Sequence, residues 1–423
     1  MFRWLMSMVC LHAMATATTA GFPRFETQVI DSDLKIGYAV IAVDIDGDHL
    51  IDLVVADQHQ LVWYHNPGQR QTAWSKHLIL DGQTRPDNVC VAAIDILGDG
   101  LPELVLGAGW RPSDTLQQGQ LVWLKRGPDI AEPWTMYPLP CDEPSVHRVR
   151  AIHIDGDGRP EVVQVPLMGR GATRDNNWMD GRPLAVVALK VPELDPENIQ
   201  NWRTQILSQE LNVAHNFCQA PAGGYARPGN AILVASYQGV SLLYPEGPGD
   251  QWTTRLLHPG NQDNPTGSRG ASEIKHSDDR RGIIATIEPW HGNQVVVYTP
   301  GKPSPDQPFS FQRQVIDQQL RWGHGVWMAD LNNDGLSELI IGVRDDPNPA
   351  GGDEFAERRG VRLYRALDQA GQKWEREILD NGGVAVEDLT AADLDGNGYV
   401  DIIAVGRQTG NVCIYWNLGM ENP

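Results

Sequence analysis

Five short segments of the chain carry carboxylates at alternate positions, in a pattern close to Asp-x-Asp-x-Asp-Gly-x-x-Asp/Glu. Oxygen ligands spaced in this way on a tight turn can surround one Ca²⁺, with the last carboxylate arriving from the following strand. We therefore expect five calcium-binding loops with structural Ca²⁺. Their predicted ligands are Asp44, Asp46, Asp48, Asp52; Asp95, Asp99, Glu103; Asp155, Asp157, Glu161; Asp330, Asn332, Asp334, Glu338; and Asp393, Asp395, Asn397, Asp401.

Two of these loops depart from the pattern. Leu97 stands at the third position of the second loop, and His153 stands at the first position of the third loop. Because neither side chain offers a hard oxygen ligand, we expect these loops to bind calcium more weakly or not at all. A hairpin that is merely rich in Asp and Asn is the alternative for any single copy, but five copies at equivalent places favour calcium.

The acidic loops lie inside a longer repeat, which defines the elements that position them. Each unit consists of an apolar strand, the loop, a second apolar strand, a third strand ending in an aromatic residue, a Pro/Gly turn and a fourth strand. Two units, at residues 202–250 and 252–300, lack the acidic loop. The fourth strands of the seven units are expected to open at Phe25, Trp74, Trp134, Trp202, Trp252, Phe311 and Trp374.

A single four-stranded sheet cannot bury both of its faces, whereas seven sheets arranged radially can, and closing the ring leaves only short, protected edges. The repeat therefore predicts an all-β fold, a seven-bladed β-propeller with calcium-binding loops, formed by residues 21–423 as a single domain. Since the strand at Phe25 precedes the first complete unit, one blade should combine strands from both ends of the chain. The tryptophans are expected to pack between blades rather than contact a ligand.

Residues 1–20 have the features of a signal peptide. Arg3 is followed by an apolar run from Trp4 to about Ala15 and by small residues up to Ala20. An uncleaved anchor is the alternative, but the run is shorter than the roughly 20 residues that span a bilayer. We expect an exported protein, periplasmic or secreted, with no transmembrane span.

Charge and cysteine content narrow the choice of partners. The formal net charge of −20 argues against nucleic acid, whose phosphates require a basic surface. Beyond the signal peptide, the widely spaced Cys90, Cys141, Cys218 and Cys413 form no Cys-x-x-Cys motif of the kind that binds zinc. They could form disulfides after export or remain buried thiols, and the sequence does not decide between these.

Propeller geometry brings the beginnings of the innermost strands together at the mouth opposite the acidic loops. Counting back six or seven positions from each loop gives one polar residue per blade, and the two units without a loop are aligned by their following strands. The predicted set is Tyr38, Asn88, His147, His215, Glu273, His324 and Glu387. Imidazoles and carboxylates in such a group suit acid–base chemistry or a second divalent cation such as Zn²⁺ or Mg²⁺. The alternative is that each histidine bonds a neighbouring carbonyl.

Loops between the second and third strands reach the same mouth. They carry Arg111, Arg344 and Arg407, together with Glu288 and His291, and residues 169–181 form an insertion long enough to act as a lid. His276 is a further candidate, in a blade that aligns poorly. Arginines and aromatic side chains around a polar cavity suit a sugar or a sugar-derived small molecule.

The acidic loops and their flanking strands resemble FG-GAP repeats, also described as VCBS repeats, over nearly the whole chain after residue 20. Integrin α-subunit heads contain repeats of this kind. The resemblance implies a propeller whose loops bind calcium for structural reasons. It does not imply one activity, because such propellers serve as adhesion heads, carbohydrate-binding modules and enzymes.

Two stretches, SEIKHSDDRRGIIATIEPWHGNQVVVY and LRWGHGVWMADLNNDG, are similar to the propeller domain of the aldos-2-ulose dehydratase family, whose members eliminate water from keto-sugars. This sequence has no room for that family's cupin and lectin-like domains, so the similarity does not extend to an isomerisation step that depends on them. It implies a carbon–oxygen lyase, with catalytic residues drawn from His147, His215, Glu273, His276, Glu288, His291, His324 and Glu387.

In the predicted mechanism, a divalent cation held by some of His147, His215, His324 and Glu273 polarises the ketone. A histidine or glutamate takes the proton, and Glu387 or His291 protonates the leaving hydroxyl. Tyr38, Asn88, Arg111, Arg344 and Arg407 are the predicted substrate-binding residues. The alternative is a non-catalytic propeller that binds a glycan or a protein.

Overall fold

The structure is a computed structural model that describes residues 21–221, 230–246, 251–302, 304, 309–344 and 359–421. The signal peptide predicted for residues 1–20 lies outside the described residues. Within the described part of the chain, the strands form seven antiparallel sheets of four strands each, which confirms the predicted seven-bladed β-propeller. The helical elements among the residues that the structure describes are two short 3-10 turns, Arg174–Asn176 and Ile199–Asn201. Among these described residues, no helix has the length and apolar character needed to cross a membrane.

Blades one to four follow one another along the chain, each running from its innermost to its outermost strand. The first blade contains β2 (Ala39–Val43), β3 (Asp52–Ala56), β4 (Gln60–His65) and β5 (Ser75–Asp81). The second contains β6 (Cys90–Ile94), β7 (Glu103–Ala108), β8 (Gln120–Lys125) and β9 (Thr135–Pro138). The third contains β10 (Val146–Ile152), β11 (Glu161–Pro166), β12 (Leu184–Lys190) and β13 (Arg203–Leu211). The fourth contains β14 (Asn216–Gln219), β15 (Ile232–Ser236), β16 (Gly239–Pro245) and β17 (Trp252–His258).

Blades five to seven complete the ring. The fifth contains β18 (Ile274–His276), β19 (Ile284–Glu288), β20 (Gln294–Pro300) and β21 (Phe311–Asp317). The sixth contains β22 (Gly323–Ala329), β23 (Glu338–Val343), β24 (Gly360–Ala366) and β25 (Trp374–Ile378). The seventh contains β26 (Val386–Ala392), β27 (Asp401–Gly406), β28 (Val412–Asn417) and β1 (Phe25–Asp31).

The seventh blade joins the two ends of the chain, as the position of Phe25 in the sequence predicts. Strand β1 pairs antiparallel with β28, with Phe25 opposite Asn417 and Val29 opposite Cys413. Each innermost strand contacts the next one around the axis, and β26 contacts β2. The ring is therefore closed by hydrogen bonds between residues from opposite ends of the sequence.

The aromatic residues at the starts of the outer strands pack between neighbouring blades. Trp134 is buried against Leu80 of the first blade and Leu124 of the second, and Trp74 is buried in a cluster shared by the seventh and first blades. Burying a large side chain at every blade junction fixes the spacing of the sheets. Packing between blades is confirmed for these outer-strand residues. Four other tryptophans, Trp110, Trp178, Trp290 and Trp322, line a cavity instead.

The four cysteines of the described chain are free thiols. Cys90, Cys218 and Cys413 are buried in strands, and Cys141 is partly buried. Burial raises the pKa of each thiol; for Cys90 and Cys413 it reaches about 12. These cysteines therefore act as small apolar side chains, which is the second of the two alternatives considered above.

Asp31, the last residue of β1, ties the closing strand to the first blade. Its carboxylate accepts a hydrogen bond from the hydroxyl of Tyr64 and lies 2.6 Å from the ammonium of Lys76. Asp317, the last residue of β21 in the fifth blade, makes the equivalent pair of contacts with the sixth blade. Its carboxylate lies 2.8 Å from the hydroxyl of Tyr364 and 2.8 Å from the guanidinium of Arg376. Burial opposes ionisation of Asp31, but its bonds to Lys76 and Tyr64 outweigh that effect and lower its pKa.

Replacing Asp31 with asparagine should lower the free energy of unfolding by about 1 kcal/mol at neutral pH, because Lys76 is partly exposed. A carboxyl group with a lowered pKa stabilises the fold above its unfolded pKa of 3.8 and loses that effect as the pH falls through its folded pKa. Urea denaturation should therefore show a difference at pH 7 that shrinks as the pH falls below 3.8. Asp33→Asn, at an exposed position, is the control. A difference for Asp31→Asn that does not change with pH would contradict the ion-pair explanation.

Candidate functional site

Three of the predicted site residues occupy equivalent bulges on innermost strands. In β10, β22 and β26, the register with the second strand shifts by one residue, and the extra residue is His147, His324 or Glu387, respectively. A bulge leaves one residue outside the ladder and redirects its side chain. The three side chains are thereby directed towards the mouth of the axial channel, where all three line the same cavity.

The backbone just before the histidines adopts a second shared distortion. Ser145, Val213 and Trp322 each lie two residues before a site histidine, and their φ angles are 49°, 48° and 53°. His291 itself has a φ angle of 50°. Left-handed backbone at non-glycine residues costs on the order of 1 kcal/mol or more per residue, and most for a β-branched one such as Val213. This repeated cost marks the mouth as the place where the fold is shaped for function.

The imidazoles of His215, His291 and His324 form a compact cluster in this cavity. One ring nitrogen from each lies within 4.8 Å of those of the other two. The Nε2 atoms of His215 and His291 are 2.8 Å apart. His147 lies beside the cluster, with its ring centroid 4.5 Å from that of His215. The structure thus brings together the four histidines predicted to meet at this mouth.

Close contacts at Nδ1 orient three of the rings. His324 Nδ1 lies 2.5 Å from the carbonyl oxygen of Glu387, and His147 Nδ1 lies 3.0 Å from the carbonyl oxygen of His215. His215 Nδ1 lies 2.6 Å from the carboxylate of Glu273. With the proton on Nδ1, each ring keeps its Nε2 lone pair for the cavity.

Burial keeps the four imidazoles neutral. It holds the pKa of His147, His291 and His324 well below the usual range, and nearby positive charge, such as Arg148 next to His147, adds to the effect. Burial also lowers the pKa of His215, although the carboxylate of Glu273 partly offsets it. Neutral imidazole is the form that binds a metal ion or accepts a proton.

The cavity has a volume of about 660 Å³, and the predicted lid covers part of it. Thr173, Arg174 and Trp178 of the insertion line the cavity wall. The lid is held across the mouth by Asn177, whose side chain donates to the carbonyl oxygen of Gly267 at 2.8 Å and accepts from the hydroxyl of Tyr237 at 3.1 Å. This volume is in the range of small-molecule sites.

Glu387 joins two of the predicted arginines at the cavity wall. Its carboxylate accepts a hydrogen bond from Arg344 at 2.8 Å and one from Arg407 at 2.7 Å. Burial alone would raise the pKa of Glu387, but the two guanidinium groups outweigh burial and lower it. Glu387 is therefore ionised, which argues against the predicted role of this residue as the acid that protonates a leaving hydroxyl.

Five predicted residues do not line the cavity. Asn88 is buried in bonds to Thr84 and to the carbonyl oxygens of Asp57 and Gln60. Three others have local partners or face solvent: Glu288 pairs with Arg313 at 2.7 Å, His276 lies at the far end of β18, and the Arg111 side chain is exposed. Glu273 lies behind His215, where it lines a separate axial cavity of about 170 Å³. These positions correct the placement expected from the sequence.

The sequence analysis missed several residues of the cavity wall. Trp110, Trp290 and Trp322 line it together with Trp178, whereas the tryptophans were expected to pack only between blades. The ring of His291 stacks between Trp290 and Trp322, with centroid distances of 4.4 and 5.2 Å. Arg148, next to His147 in the sequence, lines both axial cavities. Its position directly after a bulge residue is the signal that could have identified it.

All five acidic loops share one structural bond. The final carboxylate of each loop is buried and accepts a hydrogen bond from the main-chain N–H seven residues earlier, as Asp401 does from Leu394 at 2.9 Å. Burial raises the pKa of Asp401 to about 7 and that of Asp52 to about 6. Buried carboxylates without a cation are costly, so these positions suit a bound ion.

The two atypical loops each contain a basic side chain at the carboxylates. Arg126 pairs with Asp99 and with Glu103 in the second loop. Lys190 lies 2.5 Å from Asp155 and 2.9 Å from Asp157 in the third loop. Three carboxylates lie within 4.8 Å of one another in the first, third and fifth loops, namely Asp44, Asp46, Asp52; Asp155, Asp157, Glu161; and Asp393, Asp395, Asp401. In the fifth loop, Arg70 lies 3.3 Å from Asp395.

Two protein-family models match the chain. The model described as the β-propeller domain of aldos-2-ulose dehydratase matches residues 118–301, which include His147, His215 and His291. The model described as an FG-GAP-like repeat matches residues 44–106, which include the first two acidic loops. The resemblance predicted from the sequence is confirmed.

Comparison with individual proteins agrees with these matches. Aldos-2-ulose dehydratase from Phanerodontia chrysosporium is 26% identical over 304 residues, which make up 68% of this chain and 32% of the relative. The chain thus matches about a third of the length of that curated relative. Among solved structures, the crystal structure of BBS1N in complex with ARL6DN, soaked with mercury, has a TM-score of 0.50 at 12% identity and covers 94% of this chain and 97% of that chain. At this identity the likeness shows the fold alone.

Replacing Glu387 with glutamine should lower the free energy of unfolding by about 3 kcal/mol, because it leaves the buried guanidinium of Arg344 and the partly buried guanidinium of Arg407 without their carboxylate. Chemical denaturation monitored by tryptophan fluorescence measures the loss. Glu210→Gln, at an exposed position on β13, serves as the control and should change stability by less than about 0.5 kcal/mol. An equally small change for Glu387→Gln would show that the cluster does not hold the sixth and seventh blades together.

Proposed function

We propose that this chain is an exported, calcium-binding propeller that eliminates water from a keto-sugar with the help of a divalent cation at the imidazole cluster. The observation that carries the proposal is the convergence of His215, His291 and His324 within chelating reach at the base of a tryptophan-lined cavity. The match to the propeller domain of aldos-2-ulose dehydratase supports this choice of chemistry. Export is proposed on the sequence of residues 1–20 alone.

The donor set of the cluster fits a metal ion that prefers nitrogen. Three imidazoles face one another, and the Nδ1 atoms of His215 and His324 are directed to Glu273 and to the carbonyl oxygen of Glu387, respectively. Such outer partners fix ring orientation in metal sites. Three protein ligands with an open fourth position match catalytic zinc better than magnesium, which prefers oxygen. A bound Zn²⁺ would supply Lewis acidity that makes the C–H bond next to a coordinated ketone more acidic.

The remaining chemistry belongs to side chains of this protein. His147 is neutral and lines the cavity, so its Nε2 can take the proton from carbon. Arg344 and Arg407 can stabilise the negative charge that develops on the substrate oxygen. As the C–O bond breaks and the C=C bond forms, the protonated His147 can return the proton to the leaving hydroxyl, and water departs. This route requires no proton from Glu387.

The second candidate function is a non-catalytic propeller that binds a glycan or a protein. The two functions differ in what they require of the histidines. A binding site needs only separate hydrogen bonds, whereas a metal-dependent lyase needs imidazoles that share one centre. One ring nitrogen from each of His215, His291 and His324 lies within 4.8 Å of the others, which favours the lyase, whereas the 2.8 Å between the Nε2 atoms of His215 and His291 fits a hydrogen bond as well as a shared cation.

Calcium is proposed for the first and fifth acidic loops in particular. Their carboxylates converge, and the final carboxylate of each is fully buried. The carboxylates of the third loop converge as well, but Lys190 contacts two of them, at 2.5 and 2.9 Å, whereas Arg70 lies 3.3 Å from one carboxylate of the fifth loop. We therefore propose that Arg126 and Lys190 take the place of the metal in the second and third loops. Calcium in this proposal stabilises the blades and takes no part in the reaction.

Replacing His215 with alanine should remove the divalent cation and reduce keto-sugar elimination by at least on the order of 100-fold. Metal content is measured by elemental analysis, and elimination is followed by the ultraviolet absorbance of the unsaturated product. His276→Ala is the matched control, since His276 lies outside the cavity. Full activity in His215→Ala would refute the metal-dependent reaction and leave the binding function as the better account.

Removing calcium with a chelator should lower the melting temperature, since a ligand at 100 times its dissociation constant contributes about 2.7 kcal/mol. Asp44→Ala should reduce this calcium-dependent shift because it removes a ligand of the first loop. Asp95→Ala, at the equivalent position of the second loop, should leave the shift unchanged because Arg126 already neutralises that loop. Differential scanning fluorimetry with and without calcium distinguishes the two, and equal shifts for both variants would contradict the assignment.

A further inference from the structure

The cavity wall carries positive charge on a strongly acidic protein. Four arginines line the cavity, and two carboxylates, Asp114 and Glu387, line it with them. With the histidines neutral, the wall has a formal charge of +2, whereas the whole chain has a net charge of −20. The arginines are Arg148, Arg174, Arg344 and Arg407. A concave surface of one sign attracts ligands of the opposite sign.

Two of these guanidinium groups retain buried donors without a partner. Arg344 and Arg148 are each only 7% exposed. Arg344 uses Nη1 for Glu387 and stacks over Trp322, but its Nε makes no hydrogen bond. Arg148 uses Nη1 for the carbonyl oxygen of His147, and its Nη2 makes no hydrogen bond and lies 3.7 Å from Glu273. These two nitrogen atoms are themselves enclosed, but both arginines line the cavity, so a ligand there lies next to positive charge that the protein does not fully pair.

The rest of the wall suits a sugar ring. Four tryptophans line the cavity, and their exposed ring atoms can make apolar contacts with the C–H groups of a pyranose or furanose. Near the mouth, Ser113, Asp114 and Thr173 offer partners for hydroxyl groups. A neutral sugar would be satisfied by these groups alone. The arginine forks match the two oxygens of a carboxylate and are not needed to bind hydroxyls.

From this arrangement we infer that the cavity selects a sugar acid, a monosaccharide whose carboxylate is held by Arg344 and Arg148 while its ring lies against the tryptophans. The inference rests on the proposed function only in taking carbohydrate as the ligand, and it deepens that proposal by naming the substrate class. A neutral keto-sugar is the class that the inference excludes as the preferred ligand.

A matched pair of sugars tests the inference on the wild-type protein. 2-Keto-gluconate differs from fructose chiefly in carrying a carboxylate in place of the C1 hydroxymethyl group. Isothermal titration should give at least tenfold tighter binding of 2-keto-gluconate, and the preference should weaken as salt is raised. Equal or tighter binding of fructose, or no binding of either sugar at millimolar concentration, would overturn the inference.

Variants of single arginines test which side chain causes the preference for 2-keto-gluconate. Arg344→Met should remove most of the preference for 2-keto-gluconate over fructose, and Arg344→Lys should restore part of that preference, because lysine keeps the charge but not the fork. Arg111→Met, an exposed arginine outside the cavity, should keep the full preference. Circular dichroism verifies folding, and the wild-type comparison decides the question if a variant does not fold. If Arg344→Met weakens the binding of both sugars by the same factor, Arg344 does not contact the carboxylate.

The outcomes also separate this inference from the proposed function. If the wild-type protein eliminates water from a neutral keto-sugar as fast as from the acidic one, the sugar-acid inference fails and the lyase proposal stands. If 2-keto-gluconate binds tightly with the predicted dependence on Arg344 but is not converted, the inference stands and the lyase proposal fails.

Discussion

Pairing of β1 with β28 is the constraint on which the rest of the structure depends. Seven sheets can bury their faces against one another only if the ring is closed, and here the closing hydrogen bonds join residues such as Phe25 and Asn417 from opposite ends of the chain. Closure places the beginnings of all innermost strands around one opening. Residues of all seven blades, including His147, His215 and His324, consequently meet at a single cavity although they are far apart in sequence.

Closure alone does not direct these side chains into the cavity; local backbone distortions do. His147, His324 and Glu387 are the extra residues of three equivalent bulges, and left-handed residues precede each of the three innermost-strand histidines. Both features cost free energy in a regular sheet. The large apolar contacts between blades offset this cost. The aromatic residues at the blade junctions therefore support the site, although they do not touch it.

The sequence was sufficient to predict the blades, the closing strand and the convergence of the histidines, because repeats and strand patterns report topology directly. It could not show which polar residue at each strand start would face the cavity. Asn88 occupies the same counted position as His147, but its strand has no bulge, and its side chain stays in bonds to neighbouring backbone. Trp110, Trp290 and Trp322 were missed because a tryptophan in a propeller is more often a packing residue. Glu288 and His276 were misplaced because they belong to the fifth blade, which has no acidic loop by which its strands can be aligned with those of the other blades.

The central claim is that one divalent cation is shared by three imidazoles, and X-ray absorption spectroscopy of the zinc-loaded, calcium-saturated protein tests it most directly. This account predicts three imidazole nitrogen ligands at about 2.0–2.1 Å from zinc. A shell made up of oxygen ligands alone would place the zinc in the acidic loops instead. That result would contradict the assignment of His215, His291 and His324 as a metal centre.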